Sequence, residues 1–264
     1  MTIRRPSVMG VVNVTPDSFF APSRAEGRDA VARGLALAAE GAAILDVGGE
    51  STRPGAAPVP EDVELARVLP VVGGLSTAAR VSIDTVKPAV ARAAVAEGAT
   101  LLNDVSGALA GLAAELGVGW VAMHHRGIPA APVDAPIGPK VSQVVRDHVL
   151  AAARAARELG VTEVYVDPGI GFGKDASDNL SLLAHLEELC HAAHAEGFGV
   201  LVGASRKRFL GNLPHGERLD AEARFEGSLA VAVHAMVCGT DVVRVHDVAA
   251  TVQAASLIGE WEAA

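Results

Sequence analysis

Polar side chains that can bind a ligand follow short apolar runs at regular intervals along this chain of 264 residues. Residues 44–47, for example, form a mostly apolar run that leads into two glycines and then into the polar segment 50–53. The polar residues that follow the other runs are Asn13, Asp84, Asn103, His124, Asp167, Ser205 and His246. Because runs of this length suit buried parallel strands, whose carboxyl ends meet at one edge, we expect these side chains to share one site.

Asp84, Asn103 and Asp167 have the functional groups that bind a flat, nitrogen-rich heterocycle. A carboxylate accepts two hydrogen bonds from an N–C–N edge, and an asparagine side chain can both donate and accept. These three residues carry too little positive charge to suit a sugar phosphate. The set therefore favours a heterocycle such as a pterin.

Arg53, Lys207, Arg244 and His246 form a second, cationic group at the same strand ends. Arginine can hold phosphate oxygens with two parallel hydrogen bonds. The last predicted helix starts beside His246 and adds backbone N–H groups that point toward an anion. We therefore expect two half-sites, one for a heterocycle and one for an anion.

Two other segments resemble known site motifs but lack part of each pattern. Residues 169–174 (GIGFGK) are similar to a phosphate-binding loop, but Asp175 stands where that motif requires serine or threonine. We interpret this segment as a mobile loop over the site. Cys190, His191 and His194 lie in one helical segment without the paired spacing of structural zinc sites, so a solvated helix face is favoured.

The elements that position these residues alternate between strand and helix. The predicted strands are 8–12, 44–47, 81–83, 100–102, 119–123, 163–166, 200–202 and 241–245. The predicted helices are 28–40, 61–72, 88–97, 111–116, 141–159, 178–196, 221–238 and 248–260. Eight evenly spaced units without a linker predict an α/β fold, a (β/α)₈ TIM barrel that forms one domain over residues 1–264. An open doubly wound sheet is the competing fold.

The charge and hydropathy of the chain exclude several classes of partner. Lys and Arg total 22 and Asp and Glu total 31, which gives a net charge of −9 and argues against nucleic-acid and anionic-membrane binding. We see no signal peptide and no run long enough to span a membrane, and we interpret the longest apolar run, 227–239, as a buried helix. Cys190 and Cys238 need no partner, so we expect a soluble, cytoplasmic protein.

Segments at all eight predicted strands resemble the motifs of bacterial dihydropteroate synthases. They are NVTPDSF (13–19), GGESTRPGA (48–56), SIDT (82–85), ND (103–104), MH (123–124), DPGIGFGK (167–174), SRK (205–207) and RVHDV (244–248). Eight matches in the same order are far more specific than one glycine motif. The resemblance implies a pterin-binding barrel that joins 6-hydroxymethyl-7,8-dihydropterin diphosphate to p-aminobenzoate and releases dihydropteroate and pyrophosphate.

The resemblance also implies roles for individual residues, a cofactor and an assembly. The residues that hold the pterin are Asp84, Asn103, Asp167 and Lys207. The residues around the diphosphate are Thr52, Arg53, Arg244 and His246. The p-aminobenzoate site is bordered by Phe172, Ser205 and Lys207. Other substrate contacts come from Val105 and Met123. Catalysis falls to Arg53, Arg244, His246 and Lys207. Asn13 helps to bind Mg²⁺, and the protein is expected to form a homodimer through outer helices near the carboxyl end.

The chain departs from the family pattern in the loop after the first strand. The usual Ser-Asp-Gly-Gly is replaced by Phe-Ala-Pro-Ser at residues 20–23, which is expected to stiffen this loop. The change bears on p-aminobenzoate affinity and on the response to sulfonamides. A smaller departure is His125, where the family commonly has methionine.

Two alternative functions share the pterin contacts. A methyltetrahydrofolate-type methyltransferase would not need the diphosphate cluster of Arg53, Arg244 and His246. A non-catalytic pterin-binding paralogue would be expected to lose the STRPGA or SRK residues, which are intact here. The sequence therefore favours the synthase.

Overall fold

Eight parallel strands close into a barrel in the computed structural model, which describes residues 6–14, 28–51, 57–127, 136–212 and 218–263. The strands are β1 (Ser7–Asn13), β2 (Ile44–Gly48), β3 (Arg80–Asp84), β4 (Ala99–Asp104), β5 (Gly119–Met123), β6 (Val164–Asp167), β7 (Gly199–Val202) and β8 (Val242–Val245). The barrel closes where β1 pairs with both β2 and β8. The predicted TIM barrel is confirmed.

Helices connect successive strands on the outside of the barrel. In the described ranges the α-helices are α1 (Arg28–Ala39), α2 (Glu61–Leu75), α3 (Pro88–Ala96), α4 (Ala110–Leu116), α5 (Val141–Glu158), α6 (Ala176–Ala184), α7 (Leu186–Ala195), α8 (Phe225–Val237) and α9 (Val248–Ala263). Two short 3₁₀ helices span Arg208–Gly211 and Glu222–Arg224. None of the described helices combines the length and hydropathy needed to cross a bilayer.

An apolar layer fills the inside of the barrel below the mouth. Ile44, Leu101 and Val242 belong to this layer and are almost fully buried. Side chains alternate between the two faces of a strand, so the residues two positions further along point to the same interior. Those residues are Asp46, Asn103 and Arg244, and the same alternation therefore places charged and amide groups directly above the apolar layer.

Several strands are longer than predicted because the polar residue at the end still pairs with its neighbours. Asn13, Asp84 and Asp167 are each the last residue of a strand. The backbone register continues through these residues, with Asn13 opposite Gly48 and Gly48 opposite Asp84. Their positions are therefore fixed by strand pairing.

The single helix predicted over 178–196 is wrong. The structure has α6 and α7 there, with a break at His185, whose backbone has non-helical angles (φ −110°, ψ 18°). Asp175 caps the start of α6 by accepting a hydrogen bond from the backbone N–H of Asp178 at 2.7 Å. No glycine or proline marks the break, so helical periodicity in the sequence runs through it.

The prediction for 221–238 is correct in position but wrong in two details. The segment begins as a 3₁₀ turn at Glu222–Arg224 before α8 starts at Phe225. It is also not the buried helix expected for 227–239, because the side chain of Val237 is 51% exposed and His234 also faces solvent. The apolar residues of α8 are therefore distributed over an inner and an outer face.

Candidate active site

Strand register brings the predicted polar residues together at the carboxyl end of the barrel. Asp84 on β3 lies opposite Asn103 on β4, and Met123 on β5 lies opposite Asp167 on β6. Asn103 and Asp167 are each only 5% exposed. The mouth therefore holds polar side chains from neighbouring strands on a rigid base.

Arg244 links two acidic residues at the centre of this mouth. Its Nε donates to Oδ2 of Asp46 at 2.6 Å, and one terminal nitrogen donates to Oδ2 of Asp84 at 2.9 Å. The amide nitrogen of Asn103 also donates to Oδ2 of Asp46, at 3.0 Å. Strands β2, β3, β4 and β8 thus contribute to one connected polar network.

Asp46 is a site residue that the sequence analysis missed. It lies within β2, two positions after Ile44, and is fully buried. The predicted site residues come after the apolar runs, whereas Asp46 lies inside one. A carboxylate in the middle of a buried strand is itself a signal, because a buried charge requires a partner.

Each of the two carboxylates has a second, buried oxygen that accepts no hydrogen bond from the arginine. Oδ1 of Asp46 and Oδ1 of Asp84 are buried and have no hydrogen-bond partner in the described part of the chain. Burial, followed by the nearby charge of Asp46, raises the pKa of Asp84 to about 7. Buried acceptors of this kind gain most from a ligand that offers N–H groups.

Asp167 and Lys207 lie on the opposite side of the mouth. Oδ1 of Asp167 accepts a hydrogen bond from the N–H of Gly169 at 2.7 Å, while burial raises the pKa of this carboxyl. Nζ of Lys207 donates to the carbonyl of Ile170 and lies 4.4 Å from the centre of the Phe172 ring. Burial lowers the pKa of Lys207 to about 8.

Ser205 orients His246 next to the start of α9. The backbone N–H of His246 donates to Oγ of Ser205 at 3.2 Å, and the same oxygen lies 3.0 Å from Nδ1 of the imidazole. The hydroxyl can donate to Nδ1 of a neutral imidazole or accept from its N–H, so this contact holds the ring in either tautomer. The predicted pair Ser205 and His246 is therefore one hydrogen-bonded unit.

Other residues singled out in the sequence lie at or just after the strand ends. Val105 and Met123 are buried at the ends of β4 and β5, with 2% and 5% exposure. Asp104 has a structural role, since its carboxylate accepts from the N–H groups of Ser106 at 2.8 Å and Leu109 at 2.7 Å. His124 is buried against His148, and burial lowers its pKa to about 3, so its ring is neutral.

Thr52, Arg53 and the altered segment 20–23 lie outside the described residues. The residues just before Thr52 are firmly held. The guanidinium of Arg67 donates to the carbonyl of Gly49 at 2.8 Å, and Glu50 forms an ion pair with Lys87. These contacts fix the position of the chain between the carboxyl end of β2 and Thr52.

Comparison with known proteins gives one consistent result. The model of the family described as pterin binding enzyme matches residues 9–246. The dihydropteroate synthase of Mycobacterium leprae is 44% identical over 99% of this chain and 95% of its own length. The structure of Xanthomonas albilineans dihydropteroate synthase with 4-aminobenzoic acid is 45% identical, with a TM-score of 0.87 and coverage of 100% of this chain and 96% of that chain. A complex of the Xanthomonas albilineans enzyme with 7,8-dihydropteroate is 41% identical, with a TM-score of 0.84 and the same coverage.

Proposed function

Because this chain belongs to the dihydropteroate synthases, within the pterin-binding enzymes, we propose how its barrel mouth carries out the reaction of that family. The enzyme joins 6-hydroxymethyl-7,8-dihydropterin diphosphate to p-aminobenzoate. The amine nitrogen forms a bond to the methylene carbon, and the bond from that carbon to the diphosphate oxygen breaks with its electron pair on the oxygen. The nitrogen then loses a proton to the released pyrophosphate or to solvent. The observation that carries our assignment is Arg244, held between the buried acids Asp46 and Asp84.

The pterin ring binds against Asp84, Asn103 and Asp167. Oδ1 of Asp84, which has no partner among the described residues, is a buried acceptor for an N–H group of the ring, and Asn103 can pair with a ring nitrogen or carbonyl. Lys207 supplies a donor on the opposite side. Val105 and Met123 provide buried apolar surface next to these groups.

The diphosphate binds to Arg53, Arg244, His246 and the hydroxyl of Thr52. As the carbon–oxygen bond breaks, negative charge develops on the leaving group, and the fixed positive charge of Arg244 stabilises it. Positive charge develops on the pterin, where Asp84 and Asp167 favour it. The residues of the mouth therefore act mainly by electrostatics and orientation, and no protein nucleophile is required.

A Mg²⁺ ion fits this site as a companion of the diphosphate. Mg²⁺ keeps several waters and commonly binds through substrate phosphates and one or two protein oxygens. Asn13, half-buried at the end of β1, can supply one such oxygen from its side-chain amide. When bound, the ion would neutralise part of the charge of the leaving diphosphate.

The p-aminobenzoate site lies at Phe172, Ser205 and Lys207. The ring of Phe172 offers an apolar face, and the ammonium of Lys207 beside it can attract the carboxylate of the substrate. Ser205 is hydrogen-bonded to His246, and we assign its hydroxyl to the border of this site. The amine is then presented toward the carbon that carries the diphosphate.

The proposal also includes a cytoplasmic homodimer that uses the outer faces of α8 and α9. Val237 on α8 and Leu257 on α9 are 51% and 55% exposed, so both apolar side chains are available for burial between two copies of the chain. Cys190 and Cys238 are free thiols, which is consistent with a reducing compartment.

The division into two half-sites is tested with Arg244→Ala. We expect turnover to fall by about 10²–10³-fold, while affinity for 6-hydroxymethyl-7,8-dihydropterin without its diphosphate changes much less. Steady-state kinetics and calorimetry measure the two quantities, and thermal unfolding checks that the variant folds. The matched control is Arg92→Ala, which removes a surface arginine paired with Glu115. Equal losses of turnover and of pterin affinity would show that Arg244 does not belong to the anion half-site.

A further inference from the structure

Lys174, the last residue of the GIGFGK segment, has a buried side chain. The residue is only 5% exposed, and its amine donates to the carbonyls of Gly169 at 2.7 Å and His124 at 3.0 Å. A third carbonyl, that of Phe172, lies at 3.4 Å. The amine therefore ties the segment to itself and to the end of β5.

Residues 169–174 pass very close to the backbone of His124, just after β5. Gly169 has a positive φ of 65°, and a Cβ at that position would lie 1.9 Å from the carbonyl oxygen of His124. The same oxygen accepts a hydrogen bond from Lys174. On the other side, Asn179 of α6 accepts from the N–H of Gly171 at 2.7 Å and donates to the carbonyl of Lys174 at 3.2 Å.

The opposite side of the segment faces the proposed substrate site. The carbonyl of Ile170 accepts a hydrogen bond from Lys207, and the ring of Phe172 lies under the same ammonium. The N–H of Gly169 donates to the carboxylate of Asp167. A displacement of this short segment would therefore move the groups that hold Lys207 and Asp167.

We propose that Lys174 is a positioning residue, whose buried amine holds residues 169–173 so that Ile170 and Phe172 place Lys207 at the pterin and p-aminobenzoate subsites. The inference rests on the proposed function for the role of Lys207. The segment predicted to be a mobile loop is therefore held in place by the side chain of its own Lys174. The lysine of this segment does not act as a phosphate ligand, because its amine is buried and donates to backbone carbonyls.

The energetic cost of this arrangement supports a role of this kind. Burial lowers the pKa of Lys174 to about 7, so the site disfavours the charged form that an exposed lysine would keep. The hydrogen bonds of the amine described above go to backbone carbonyls, which fix the path of the chain.

A double-mutant cycle on substrate binding tests the inference. The variants are Lys174→Met, Lys207→Met and the two combined, and calorimetry measures binding of 6-hydroxymethyl-7,8-dihydropterin diphosphate with Mg²⁺. We expect each single change to weaken binding by about tenfold, and the double variant to bind no more weakly than Lys207→Met alone. Lys140→Met is the matched control, since Lys140 is exposed and makes no side-chain cap to α5; its affinity should equal that of the wild type.

Losses that multiply in the double variant would overturn the inference, because Lys174 would then act on stability or on another part of the site. Wild-type affinity in Lys174→Met would also overturn it. If Lys174→Met fails to fold, Asn179→Ala removes the second anchor of the same segment and should show the same dependence on Lys207. Wild-type protein that binds the pterin but forms no dihydropteroate would contradict the proposed function, while the binding cycle would still decide the role of Lys174.

Discussion

At the scale of single residues, the mouth of the barrel holds buried charged side chains that contribute little to the stability of the fold. Asp46 and Asp84 share one arginine, and each keeps a buried oxygen without a partner among the described residues. Such groups are costly in the folded protein unless a ligand satisfies them. Sequence reasoning identified Asp84, Asn103 and Asp167 because each lies at a strand end. It missed Asp46, which lies inside an apolar run and not at its end, although a carboxylate within such a run already indicates a buried, partnered charge.

Asp84→Asn should therefore make the protein more stable and less able to bind the pterin. The folded-state pKa of Asp84 is about 7, above the ordinary value of 3.8, so the ionised carboxylate destabilises the folded protein at neutral pH. We expect the variant to gain roughly 1–3 kcal/mol of unfolding free energy above pH 7. The gain should shrink as the pH falls from 7 toward 4, where the wild-type carboxyl becomes protonated in the folded state and then in the unfolded state.

Urea denaturation at several pH values measures the gain, and calorimetry measures pterin affinity. Glu115→Gln, which neutralises an exposed acid on α4, is a control that should change the unfolding free energy little. A variant less stable than the wild type at pH 8 would contradict the view that Asp84 is retained for binding at the expense of stability.

At the scale of elements, Arg206 joins the loop after β7 to the starts of α8 and α9. Its guanidinium pairs with both carboxylate oxygens of Asp247, at 3.0 and 2.7 Å, and donates to the carbonyls of Ala221 and Glu222. It does so from a left-handed backbone conformation with φ of 58°. The flanking residues Ser205 and Lys207 are both in the proposed site, so this strained residue fixes their spacing.

The strain at Arg206 predicts an unusual order of stabilities. Arg206→Ala and Arg206→Gly both remove the ion pair, and each should lose about 2–4 kcal/mol of unfolding free energy. Arg206→Gly should be the more stable of the two by about 1 kcal/mol, since glycine adopts a positive φ without steric cost. Chemical denaturation of the two variants measures the difference. The reverse order would mean that the left-handed conformation is not maintained in solution.

The elements also show what the sequence can and cannot predict. Strand type was clear from apolar runs that lead into Asn13, Asp84 or Asp167, and strand pairing includes that polar residue at the end of each strand. The break between α6 and α7 was not predictable, because His185 interrupts the helix without glycine or proline. Lys174 was classed with a mobile loop, since its hydrogen bonds to the His124 carbonyl join segments distant in sequence.

At the scale of the whole molecule, regular alternation of strands and helices was sufficient to predict a closed barrel, and we propose that residues 1–264 form one domain. We propose that the homodimer buries Val237 and Leu257, which are exposed on α8 and α9. Changing both to arginine should yield monomers in sedimentation equilibrium, while the wild type sediments as a dimer. Leu159→Arg is the control, because this leucine is 58% exposed on a different helix end. Monomeric wild-type protein would contradict the proposed homodimer.

The most direct test of the account is the stoichiometry of the reaction itself. The purified protein is incubated with Mg²⁺, 6-hydroxymethyl-7,8-dihydropterin diphosphate and p-aminobenzoate, and both products are quantified by chromatography. We predict dihydropteroate and pyrophosphate in equal amounts, with dihydropteroate formed only when both substrates are present. Tight binding of the pterin diphosphate without formation of either product would contradict the account and would indicate a pterin-binding protein without synthase activity.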